Sequence, residues 1–152
     1  MSRFYGLDDA NALLPELAAI VDRLRDERAE LIDVRDAYRQ REGQLVGAVI
    51  DRGAGDPDES DDRDDPELRR LRLRMRGIVD QMAADVAWLD DRGIVLRDIS
   101  TGLLDFPALA GGRQVWLCWR SGEDEIGWWH GVDEGFAGRR PLDSLPGVTP
   151  LA

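Results

Sequence analysis

The chain has 152 residues, a formal net charge of −11, and 43% hydrophobic against 34% charged residues. That composition suits one domain or two small layers with a core of their own, and no apolar run approaches the roughly 18 residues needed to cross a bilayer. The N-terminus has no basic region followed by an apolar stretch, so no secretory signal is expected. A single cysteine, Cys118, excludes an internal disulfide, and the two together fit the cytoplasm.

The acidity is local. Residues 51–67 carry −7 of the net charge and the rest of the chain −4. All the basic residues are arginines. A chain that lacks a clustered basic face is a poor match for a phosphate backbone, so nucleic acid is not an expected partner, nor is a membrane.

Apolar residues at Leu7, Ala10, Leu14, Leu17, Val21 and Leu24, then Leu31, Tyr38 and Leu45, give steps of 3, 4 and finally 7. This is a heptad seam of one long helix. Arg28, Arg35 and Glu42 occupy the other half of the seam, so packing should weaken towards the end. Gly6 is the expected N-cap, with Asp8 and Asp9 beside the positive end of the dipole. Pro15 should kink the helix or mark a restart. Residues 51–65, rich in Gly, Pro and Asp, read as a disordered acidic loop. Asp65 then caps a second helix with Pro66 at its first position. Its seam is Leu68, Leu71, Met75, Ile78, Met82, Val86 and Leu89, and Gly93 ends it. Two such helices with matching seams form an antiparallel hairpin, and the uncovered stripe of the longer one suggests a homodimer through the arm.

From residue 93 the pattern becomes that of a β module. Residues 94–99 read as a strand, 103–106 as another ended by Pro107, and Gly111-Gly112 as a turn. Residues 113–120 and 125–132 read as a hairpin joined by 121–124. Four of the five tryptophans fall on it: Trp116, Trp119, Trp128 and Trp129. The expected class is therefore α+β: a long antiparallel helical hairpin (1–92) packed against a small antiparallel, tryptophan-rich β module (93–152) whose tail is mostly loop.

The segments YGLDDANALLPEL (5–17), GLLDFPAL (102–109), LCWRSGEDEIGWWH (117–130) and GFAGRRPL (135–142) resemble a bacterial family of uncharacterised proteins, DUF2203. The resemblance covers nearly the whole chain apart from the acidic loop. It implies a fold and a set of positions but no activity. Members tend to open the first helix with Thr or Ser where this chain has Gly6, a difference of a few tenths of a kcal/mol in cap energy.

Cys118 and His130, the only residues of their types, lie on the hairpin, with Asp105, Glu123 and Glu125 near in sequence. Cysteine, histidine and carboxylate together are a possible transition-metal set, although Cys-x11-His matches no standard finger. Register decides the matter, because side chains alternate faces along a strand. An even loop, the commoner kind, puts Cys118 with Trp116, Arg120, Glu125 and Trp129. His130 then faces the other way with Val115, Leu117, Trp119, Ile126 and Trp128. An odd loop puts Cys118 and His130 on one face. The even register leaves a Trp/Arg surface opposite the helices, which Phe136 and Arg139 of the tail either border or cover. No metal or other cofactor is expected on this register. Ser100, Ser121 and Ser144 lack an elbow sequence, and no phosphate-binding glycine motif occurs. Asp105 reads either as a buried general base or as a turn cap before Phe106-Pro107. Two functions remain. One is a non-catalytic binding or interaction module presenting Asp105, Phe106, Trp116, Cys118, Arg120, Glu125, Trp129, His130, Phe136 and Arg139 to a protein or small ligand. The other is a small metal- or ligand-dependent enzyme centred on Cys118, His130, Asp105 and Glu125.

Overall fold

The structure is a computed structural model and describes residues 3–51 and 65–145. The expected acidic loop therefore lies almost wholly outside the described residues, as does the end of the tail. Two long helices, α1 (Leu7–Asp51) and α2 (Pro66–Asp91), precede a five-stranded antiparallel sheet. Its strands are β1 (Val95–Asp98), β2 (Leu103–Ala110), β3 (Arg113–Arg120), β4 (Trp128–Gly131) and β5 (Arg140–Pro141), in chain order. The fold is α+β, a helical hairpin with an antiparallel sheet. No helix among the described residues is long and apolar enough to cross a membrane.

Contacts group the chain into two compact units, Met1–Arg25 with Ala84–Ala152, and Asp26–Ala83. The first holds the sheet, the start of α1 and the end of α2. The second is built from the remaining lengths of both helices. Each unit contains antiparallel helix-to-helix ion pairs. In the first, Arg23 donates twice to the buried carboxylate of Asp85, at 3.0 and 2.5 Å. In the second, Arg41 donates to Asp65 at 3.1 and 2.8 Å, and Arg74 donates to Glu30.

Local chemistry accounts for the helix ends. The Ala10 N–H donates to the Gly6 carbonyl, closing the first turn of α1. Asp65 caps α2 by accepting the Leu68 N–H at 3.0 Å, and Pro66 follows at a position whose N–H would be unpaired in any case. At the far end of α2, Gly93 has φ +71°. Its N–H donates to Asp90 and that of Ile94 to Leu89, the paired bonds of a Schellman turn. Pro15 does not restart the helix. It is exposed inside an unbroken α1, where its cost is confined to one missing N–H and a local clash. The α1 seam is buried from Ala10 to Leu24, and Leu31, Tyr38 and Leu45 are only half-buried, as the loss of apolar partners predicts.

The sheet departs from the expected strands in three places, one of them β5, a two-residue strand in the tail expected to be mostly loop. β2 runs through Pro107 to Ala110. The Pro107 carbonyl accepts the Tyr5 N–H at 2.8 Å, so this residue's polar groups point away from β3. There β1 has already ended, and the missing donor breaks no ladder bond. β4 begins only at Trp128, because the Ile126 N–H goes to the Asn11 side chain on α1 at 2.8 Å. The segment before it is held by Trp119 Nε1 donating to the Glu123 carbonyl at 2.9 Å and by the Arg120 N–H donating to the Glu123 carboxylate at 2.7 Å. Close approach fixes Gly102, at φ +66°: a Cβ there would stand 2.7 Å from Val21 Cγ1 and 2.6 Å from Ser121 Cβ.

One face of the sheet carries Leu104, Phe106, Ala108, Val115, Leu117, Trp119 and Trp129, all buried. Tyr5 meets Phe106 edge-on with 5.5 Å between ring centroids, and Arg25 donates to the Ile99 carbonyl and to Ser121. This is the face that the helical part of the same unit covers.

Candidate functional site

The opposite face is set by pairing. Asp105 is opposite Cys118, Cys118 opposite Trp128, and Trp116 opposite His130. All five residues therefore point the same way. The last β3–β4 pair is Cys118 with Trp128, so residues 119–127 intervene, an odd number. The expected even register is overturned. Cys118 and His130 share a face, Trp128 joins them, and Trp129 moves to the helix side. Residues 125–127 lie outside the β3–β4 ladder, and the Ile126 N–H bonds instead to Asn11 on α1.

Asp105, Cys118 and His130 are 1%, 0% and 3% exposed. One chelating atom from each lies within 4.8 Å of the others. Because the Pro107–Trp116 pair exchanges no ladder bonds, neither does Asp105–Cys118 two residues earlier, and in such pairs the side chains stand closest. His130 Nε2 is 2.9 Å from Asp105 Oδ2, and His130 Nδ1 is 3.0 Å from the Gly131 carbonyl. Both ring nitrogens thus face acceptor oxygens, whereas a neutral imidazole has one N–H to give. Asp105 Oδ2 also accepts from Arg97 Nε at 2.8 Å, while Oδ1 is buried with no partner among the described residues. Burial pushes the Cys118 thiol up to about 11, and the Asp105 carboxylate adds to the effect against a smaller opposing pull from Arg139. A thiol in that state is a packed, protonated side chain and not a nucleophile.

Above these residues is a cleft of about 320 Å³ lined by Arg97, Leu103, Asp105, His130, Glu134 and Phe136, among others. Arg97 lies 5.1 Å over the Trp116 ring and its side chain is 43% exposed. Asp105 engages its Nε, and Arg97 is one of the residues that line the opening. Glu134 pairs with Arg140 at 2.7 Å. The Arg139 guanidinium covers Trp128 at 4.9 Å and Phe136 at 5.2 Å and bonds to Glu123.

The structure thus brings together Asp105, Trp116, Cys118 and His130, with Phe136 at the cleft and Arg139 beside it. It does not bring in Phe106, which is core on the other face, or Trp129, whose Nε1 donates to Ser144 at 3.1 Å and whose ring lies under Arg140. Glu125 is exposed in the loop and outside the chelating group. Arg120 is exposed, and the carboxylate at its backbone is Glu123. The expected turn cap at Asp105 gives way to a buried carboxylate in mid-strand. Sequence reasoning missed Arg97 and Glu134. Arg97 falls where the β1–β2 register shifts, between Leu96 and Asp98, so strand alternation gave no reliable sign of its face. Glu134 lies in a glycine-flanked turn that carries no motif. A family model described as "Uncharacterized conserved protein (DUF2203)" matches residues 3–142. No curated protein and no solved structure matches the chain.

Proposed function

Since the chain belongs to the DUF2203 family, which brings no activity with it, we propose from its own geometry that it is a small-ligand binding module whose site is the cleft over Asp105 and His130. The observation that carries this reading is Arg97. Its Nε is fixed by a buried carboxylate and its planar face by the Trp116 ring, so the fork is preorganised while its terminal nitrogens have no hydrogen-bond partner among the described residues and suit an anionic group. Leu103, Val132 and Phe136 line the same cleft and suit a short apolar body. The favoured ligand class is a compact carboxylate or phosphate with an apolar part, bound bidentately. This reading replaces the broad Trp/Arg surface expected from the sequence, because Trp116, Trp128 and Trp129 each lie under an arginine of the same chain.

The test is NMR titration of the full chain with orthophosphate and, separately, butyrate. Saturable shifts of the Arg97 Nε–H and the Trp116 indole, abolished by Arg97→Ala, support the reading. Unmoved signals with both probes at millimolar concentration overturn it. A second reading, self-association through the helical arm, draws on Ile32, Leu73 and Val79, which are exposed apolar residues of the second unit. Light scattering should then give a dimer that Leu73→Glu converts to monomer, and a wild-type monomer at high concentration removes it.

A further inference from the structure

We propose that Asp105, Cys118 and His130 form a site for one transition-metal ion of the zinc class at the floor of the cleft. The inference builds on the cleft reading and names what its floor holds. Three observations on these residues carry it.

His130 Nδ1 is tied to the Gly131 carbonyl, the way a ligating histidine's outer nitrogen is usually fixed. In the tautomer with its proton on Nδ1, the ring turns a lone pair from Nε2 towards Asp105 Oδ2 at 2.9 Å, a pair of donor atoms that a metal ion can bridge in place of a proton. Asp105 supplies the second observation. Arg97 holds its Oδ2, and Oδ1, in a residue 1% exposed, is left without a partner among the described residues. A buried carboxylate oxygen in that condition is costly unless something binds it. Third, Cys118 Sγ completes a set whose ligand atoms lie within 4.8 Å of one another. Ligands about 2.0–2.3 Å from a tetrahedral metal stand about 3.3–3.8 Å apart, so small side-chain rotations close the set.

The donors name the ion. Thiolate, imidazole and carboxylate together favour Zn²⁺ or Co²⁺ over Mg²⁺ or Ca²⁺. Two anionic ligands neutralise the divalent charge, and Arg97 stays outside as the group that orients Asp105. Three protein ligands leave one position, and two of the three, Asp105 and His130, also line the cleft. An open fourth position marks a zinc that meets ligands or water, in contrast to a closed structural site. An anion anchored by Arg97 would have its other end near that position.

The untagged full chain, stripped with chelator and titrated with Co²⁺, tests this. The expected result is one Co²⁺ per chain, with the visible bands of a four-coordinate ion and a sulfur-to-cobalt charge-transfer band in the near ultraviolet. Cys118→Ser should abolish the charge-transfer band. Arg97→Ala should keep the band and weaken binding by about 10- to 100-fold. Only trace cobalt in the wild type, or a charge-transfer band that survives in folded Cys118→Ser, overturns the proposal. If Cys118→Ser does not fold, the wild-type spectrum decides, and lack of the sulfur band overturns it. The cleft reading fails separately: phosphate or butyrate shifts at Arg97 in chelator-treated protein keep that reading standing even where no metal binds.

Discussion

Asp105 Oδ2 accepts from Arg97 and lies 2.9 Å from His130 Nε2, and these two neighbours differ in exposure. His130 is 3% exposed and has no water to turn to, whereas Arg97 is nearly half in solvent. Asp105→Ala removes the buried charge itself and leaves His130 without that neighbour, a loss of about 1–3 kcal/mol. Arg97→Ala leaves a carboxylate that is 1% exposed without its cation and should cost about 3–5 kcal/mol. Urea denaturation of the two variants checks the order, and a smaller loss for Arg97→Ala would show that the buried carboxylate does not depend on it. Cys118 is 0% exposed, and its thiol sits near 11. In chelator at neutral pH it should resist iodoacetamide until the chain is unfolded, which mass spectrometry reads directly.

At the scale of elements, the caps and the β3–β4 segment are the informative joints. The Arg41 guanidinium beside it, helped by the Leu68 N–H, holds the Asp65 carboxyl down to about 2. A carboxylate lowered in the folded state adds stability that is complete above its unfolded value near 4 and is lost as pH falls towards about 2. Asp65→Asn keeps a good cap but removes the charge, so the wild-type advantage in urea midpoint should shrink over that interval. An advantage that is constant from pH 6 to pH 2 would contradict the assignment. Asn11 holds the β3–β4 segment from α1. Asn11→Ala leaves the Ile126 N–H unsatisfied in a residue 3% exposed, a loss of about 1–3 kcal/mol, and should speed exchange of that amide.

For the whole molecule, stability is unevenly distributed. The largest fully buried side chains are concentrated in the unit that contains the sheet: Trp119, Phe106, Leu17, Leu24, Leu89, Ile94, Leu104 and Leu117. The other unit buries Leu68, Leu71 and Ile78 but exposes Ile32, Leu73 and Val79. Regions with few buried apolar contacts open at lower free energy. Hydrogen exchange should show β2 and β3 protected longest and the last third of α1, residues 37–51, least. Uniform protection along α1 would mean that something covers the exposed stripe, as a second copy of the chain would.

What the sequence determined by itself was everything written in local chemistry. The 3–4 seams gave both helices and predicted where α1 loses its packing. Gly6 marked the start of α1, Asp65-Pro66 and Gly93 marked both ends of α2, and Gly111-Gly112 gave the β2–β3 turn, where both glycines have positive φ. The candidate residues were also visible as types, since the one cysteine and the one histidine stood on the same hairpin. Only the tertiary structure decided which way they face. Side chains alternate with a period of two, so one residue of register moves each to the other side of the sheet. That register goes with an Ile126 N–H that bonds to Asn11, 115 residues away in the chain. Likewise β2 continues past Pro107 in its pairing with β3, with Tyr5 supplying the donor to the Pro107 carbonyl. Contacts between residues so far apart leave no periodic trace in the sequence. The site is legible only once the folded chain has brought α1 against the sheet.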